Sequence, residues 1–133
     1  MRVHGFSLIE LMIVLSIAGI LSLTLIPQFQ FIHNTARELS AKSIARSITI
    51  ALEQYYFQHQ TYPNGENLSI QSIITDLASK RLLSNIPQNP FTGAPYSGGD
   101  GSGKLEYTPP TSMVPSYTLV GYGQYNQQII FSY

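Results

Sequence analysis

The side chains able to do chemistry are few, and the chain scatters them. His4, His33 and His59 are the three histidines, and none lies in a nucleophile, metal-ligand or phosphate-binding motif. Each reads as a surface or interfacial side chain. There is no cysteine, which removes thiol nucleophiles, thiolate metal sites and disulfides together. The acid that stands out is Glu10, the only formally charged side chain between Val3 and Ala36. A carboxylate inside an apolar run is unfavourable by about 3 kcal/mol or more, and such residues usually face a partner or mark function. Charge pairing is the chemistry open to it. The plainer alternative is a solvated carboxyl favoured by the dipole at a helix start. A second acid, Asp100, sits in Gly98-Gly99-Asp100-Gly101-Ser102-Gly103, with Glu106 nearby. Calcium takes about six or more oxygens, commonly from several acids. Asp100 therefore reads as a solvated residue in a flexible turn, and neither a catalytic function, a cofactor nor a metal is expected.

The elements that must position these residues follow from periodicity. Phe6 to Ile26, 21 mostly apolar residues, reads FSLIELMIVLSIAGILSLTLI. At about 1.5 Å per residue such a helix spans the hydrocarbon layer of a bilayer. A secretory signal would have a shorter apolar region and a small-residue cleavage site after it; here the run ends in Leu25-Ile26-Pro27-Gln28-Phe29. The positive-inside count does not settle orientation, with Arg2 before the span and Arg37, Lys42 and Arg46 after it. Gly19 and Pro27 interrupt the run, so this stretch either kinks or unwinds locally, or bends gently with its neighbours satisfying the freed groups. Ser16, Ala18, Gly19 and Ser22 offer small surfaces for close helix approach.

Beyond the run, Ala41, Ile44, Ala45, Ile48, Ala51, Leu52 and Tyr55 trace one helical face, with Arg37, Arg46, Glu53 and Gln54 on much of the rest. Unbroken from 6 to 57, the helix would be about 80 Å long. Thr61-Tyr62-Pro63-Asn64-Gly65 is a turn signal. A second helix follows on Leu68, Ile70, Ile73, Ile74, Leu77 and Leu82, with Lys80 and Arg81 at its end. A loop rich in Pro and Gly then leads to three expected strands, 104–108, 116–122 and 128–133, paired as an antiparallel meander on the long helix. The aromatics, Tyr55-Tyr56-Phe57 included, read as core and strand residues, since no basic patch surrounds them. Asn67-Leu68-Ser69 matches the N-glycosylation tripeptide, a pattern short enough to arise by chance. Seven Lys and Arg balance seven Asp and Glu, leaving no field to draw the chain to nucleic acid.

Gly5-Phe6-Ser7-Leu8-Ile9-Glu10, followed directly by the apolar run, resembles the processing motif of type IV pilins and type II secretion pseudopilins. The loop Ile86-Pro87-x-x-Pro90-Phe91-x-Gly93-x-Pro95-Tyr96 is similar to the Pro-rich loop of that family. The resemblance implies an α+β, type IV pilin-like fold in three parts. Residues 1–5 would be a leader removed by prepilin peptidase, 6–57 a long helix with 6–26 as membrane or fibre core, and 58–133 the head. It implies cleavage between Gly5 and Phe6, methylation of the new Phe6 amine, and pairing of Glu10 with the Phe6 amine of a neighbouring subunit. It also implies opening of the helix between Gly19 and Pro27 in assembled fibres. The implied partners are identical or related pilin subunits, the peptidase, an inner-membrane assembly machinery and, before assembly, the membrane itself. Calcium, which pseudopilins often bind near their C-terminal strands, lacks its acids here, and the C-terminal disulfide loop of major pilins has no cysteines.

Three functions stay open. The chain is expected to be a pilin of a surface fibre for adhesion, motility or DNA uptake, held first in the bacterial inner membrane and then in an extracellular filament. The alternatives are a pseudopilin in a periplasmic pseudopilus and a membrane-tethered binding module that never polymerises.

Overall fold

A computed structural model describes residues 5–65, 68–112, 114–126 and 129–133, with the side chains of 24–27 left out of the account. Arg2, Met1–His4 of the expected leader, and Asn67 of the glycosylation tripeptide lie outside the described residues.

Helix α1 runs Leu8–His59 without interruption. It passes through Gly19 and Pro27, so in this single chain neither residue ends it. The chain divides into two units, 1–35 and 36–133, each with its own contacts. In the first unit no described side chain is buried. The large apolar side chains from Phe6, just before the helix, to Leu23 are between 53 % exposed, at Ile17, and 82 % exposed, at Phe6. The hydroxyls of Ser16 and Ser22 donate to the carbonyls of Met12 and Ala18, both at 2.8 Å, so these polar groups are satisfied within the helix.

The second unit holds the core. Ala41, Ala45, Ile48, Ala51 and Leu52 of α1 are buried, with Ile44 and Tyr55 partly so, on the face that the periodicity predicts. Helix α2, Ile70–Ser79, buries Ile70, Ile73, Ile74 and Leu77 against it, and the Ser69 hydroxyl caps its start by accepting from the Ser72 amide at 3.1 Å. The helix stops at Lys80, and Arg81 adopts φ +59°, so Leu82 lies beyond it rather than within it. Lys80 pairs with Asp76 one turn earlier.

Strands β1 (Leu105–Thr108), β2 (Thr118–Tyr122) and β3 (Ile129–Ser132) form an antiparallel sheet in the order β1-β2-β3. The expected α+β architecture is present: β1 begins one residue and β2 two residues later than expected, β3 ends one residue earlier, and Gln128, the expected start of the third strand, lies outside the described residues. Alternation sets the inner face: Leu105, Tyr107 and Leu119 are buried while Glu106 and Thr108 point outward. Gly121 lies under the Phe131 ring, where a Cβ would fall 2.0 Å from Cζ. Several aromatics differ from the expectation that they lie in the core and strands: Phe29, Phe31 and Tyr125 are more than half exposed, and so is Phe57. Phe57 is 82 % exposed, and with Leu39 and Ile50 it gives the outer side of α1 more apolar surface than its Arg and Glu residues suggested.

Candidate functional site

Two groups of residues carry the functional expectations: the start of α1, and the loop between α2 and β1. At the start of α1 the residues Ser7 to Glu10 have the spacing of a capping box. The Ser7 amide donates to Glu10 Oε2 at 2.9 Å, and the Ser7 carbonyl accepts from the Leu11 amide at 3.2 Å. Glu10 thus satisfies one of the amides that a helix start leaves without a partner. Among the described residues its Oε1 has no partner. Gly5 and Phe6 precede the helix in exposed chain, and nothing lies within 4 Å of a Cβ placed on Gly5. Gly5, Phe6 and Glu10 therefore lie together at one exposed end of an apolar helix. Gly19 and Pro27 sit further along the same helix.

The head loop is organised by a residue that the sequence reading passed over. Asn89 is the one buried polar side chain of the described residues, at 0 % exposure. Its Oδ1 accepts from the Phe91 amide at 2.9 Å, and its Nδ2 donates to Asp100 Oδ2 at 3.2 Å and to the Ser102 carbonyl at 2.8 Å. Its backbone amide donates to the Ala94 carbonyl, and its carbonyl accepts from Thr92 and Gly93. Asp100 also accepts from the Ser97 amide at 3.0 Å and the Ser97 hydroxyl at 2.9 Å. Asn126 Nδ2 closes the far side by donating to the Asp100 carbonyl at 2.6 Å, and its Oδ1 accepts from the Lys104 amide. The expected solvated Asp100 is corrected here: its carboxylate is half-buried and bonded on both oxygens. The available signal was Asn89-Pro90, a pair that starts turns through the Asn side chain.

These donors test the loop against calcium. A calcium ion needs oxygens directed at one point, and here the Asp100 carboxylate, the Asp100 carbonyl and the Ser102 carbonyl all face amide N–H groups. Glu106 is committed to Lys104 and to the Tyr122 hydroxyl, 2.8 Å away. Lys104 first, and then Tyr122, hold the Glu106 carboxyl below its ordinary pKa. Among the described residues no three His, Cys, Asp or Glu gather as a metal site. The residues present do not fit the ion.

The first unit thus presents an exposed apolar helical segment with one acid near its start, and the second a small α+β head with its own core. A family model for the prokaryotic N-terminal methylation motif matches residues 1–26. The chain is 34 % identical over 80 residues to the type IV major pilin protein PilE1 of Neisseria gonorrhoeae, covering 60 % of this chain and 37 % of the pilin. It is 37 % identical over 60 residues to the type II secretion system core protein G of Pseudomonas aeruginosa, covering 45 % of this chain and 42 % of that protein. The core protein G of Klebsiella pneumoniae aligns at 24 % identity over 131 residues, 98 % of this chain and 84 % of its own length. This chain spans less than half the length of the Neisseria and Pseudomonas relatives. No solved structure matches it significantly. The motif and relatives named from both branches support a reading within the type IV pilin and type II secretion pseudopilin family.

Proposed function

We propose that this chain is a structural subunit of a type IV pilus-like filament, assembled through its apolar N-terminal helix and serving adhesion, motility or DNA uptake. The observation that carries the reading is the apolar surface of residues 6–23, whose large side chains are all more than half exposed, with Glu10 as its lone charge. That much apolar surface is stable only in lipid or against other apolar helices. In a stack of identical stems the Phe6 amine of one subunit would answer Glu10 of the next, since a charge left unpaired in such a core is strongly disfavoured. Prepilin peptidase would cut between Gly5 and Phe6, the Phe6 amine would be methylated, and an inner-membrane machinery would move the stem from membrane to fibre. Opening of Gly19 to Pro27 belongs to that transfer, because proline withholds one helical hydrogen bond and glycine weakens the turn around it.

The test is to shear filaments from the cell surface and weigh the chain they contain. A mass beginning at methylated Phe6, in filaments made mainly of this chain, is the expected result. Gly5→Leu should leave the leader attached, and normal trimming of that variant would refute the assigned cut. A second reading, a pseudopilin working in the periplasm, is favoured by the near full-length alignment with the Klebsiella core protein G. Loss of protein secretion on deletion, with no surface filament, would select it.

A further inference from the structure

We propose that the Asn89 side-chain amide stands where a loop cation would otherwise sit, so that the head holds its 89–103 loop without calcium. The orientation of the amide is fixed by its surroundings. The Phe91 N–H can be accepted only by the carboxamide oxygen, so the NH2 group must face Asp100 and Ser102. That group brings two partial positive charges to two oxygens from different turns of the loop, at 3.2 and 2.8 Å. A calcium ion joining the same oxygens would need them at about 2.3 to 2.6 Å and would have to expel the N–H donors. Asn89 has no room to swing aside. It is fully buried, and the backbone of Gly103 passes so close that a Cβ there would meet Asn89 Oδ1 at 2.6 Å and Phe91 Cδ2 at 2.3 Å. Asn126 repeats the device on the other side of the loop, its amide reaching the Asp100 carbonyl from the segment after β2. Two neutral amides thus join the loop to itself and to the C-terminal segment, with the single charge of Asp100 held among N–H and O–H donors.

The inference concerns the head alone and does not depend on whether the chain serves a pilus or a secretion fibre. The full chain in detergent micelles is melted by near-ultraviolet circular dichroism of its tyrosines, in chelator and in about 1 mM CaCl2, a level that fills extracellular calcium modules. The wild-type midpoint should be the same in both; a rise of several degrees with calcium would overturn the proposal. Asn89→Asp places a carboxylate oxygen where the NH2 was, facing Asp100 Oδ2 and the Ser102 carbonyl. This variant should lose several degrees in chelator and regain most of them with calcium. Asn89→Ala should lose a similar amount and regain none. An Asn89→Asp chain that responds to calcium no better than Asn89→Ala would show that the amide does not mark a cation position. If neither variant folds, the wild-type comparison still decides.

Discussion

Tyr96 brings a hydroxyl into the head core, where it finds no hydrogen-bond partner among the described residues, and burial pushes its pKa up. A buried hydroxyl without a partner contributes desolvation cost and nothing in return. Tyr96→Phe should therefore leave the head as stable or raise its stability by up to about 1 kcal/mol in thermal unfolding. A loss above that size would reveal a partner for the hydroxyl. Glu10 poses a different residue-scale question, since it both caps its own helix and is proposed to pair with a neighbour's amine. Glutamine keeps the capping hydrogen bond and removes the charge. If the charge is what matters, Glu10→Gln should cut filament yield about tenfold or more, as Glu10→Ala should, each tenfold step corresponding to about 1.4 kcal/mol. Filament yield near wild type for Glu10→Gln would leave capping as the role of this acid.

Among the elements, β2 and β3 depend on a glycine. Phe131 lies across Gly121, and any Cβ there would overlap the ring, so the cross-strand pair holds only while position 121 has no side chain. Gly121→Val should destabilise the head by about 2 kcal/mol or more through overpacking. Retention of the wild-type melting point would mean that Phe131 can leave its place freely. Helix α2 is shorter and leans on its cap. Ser69→Ala removes the acceptor for the Ser72 amide and should cost about 1 kcal/mol. The apolar pattern of α2 was legible because its buried residues recur every three or four positions. The outer side of α1 was less legible, because Phe57 and Ile50 look like core residues by type while the helix turns them away from the head.

At the scale of the whole chain, a band of tyrosines ties the end of α1 to the sheet. Tyr62 and Tyr117 donate to the Glu53 carboxylate at 3.1 and 3.4 Å, and Tyr107 donates to the Pro63 carbonyl at 2.9 Å. Desolvation pushes Tyr117 up to about 12 and pushes Tyr107 up as well, from an ordinary value of 10.0. A phenol whose folded pKa is raised stabilises the fold fully below its unfolded pKa and loses that contribution as pH climbs through the folded value. The head should thus lose stability progressively between pH 10 and about 12, with some tyrosines ionising only as it unfolds. Absorbance near 295 nm, followed alongside circular dichroism, would check this; ordinary titration of every tyrosine without unfolding would contradict it.

Local and periodic signals suffice for much of this protein. The apolar run, the lone Glu10, the spacing of Ala45, Ile48 and Leu52, and the Pro and Gly punctuation all act within a few residues of each other, so sequence alone determined the long helix, the second helix and the three strands. The loop was decided elsewhere. Asn89, Asp100, Ser102 and Asn126 lie up to 37 positions apart in the chain, and nothing in their types announces that two amides and a carboxylate will meet. Only the folded head brings those donors and acceptors within hydrogen-bonding distance, around an Asn89 side chain whose full burial leaves it no water to choose instead, while Asp100, Ser102 and Asn126 are half-buried beside it.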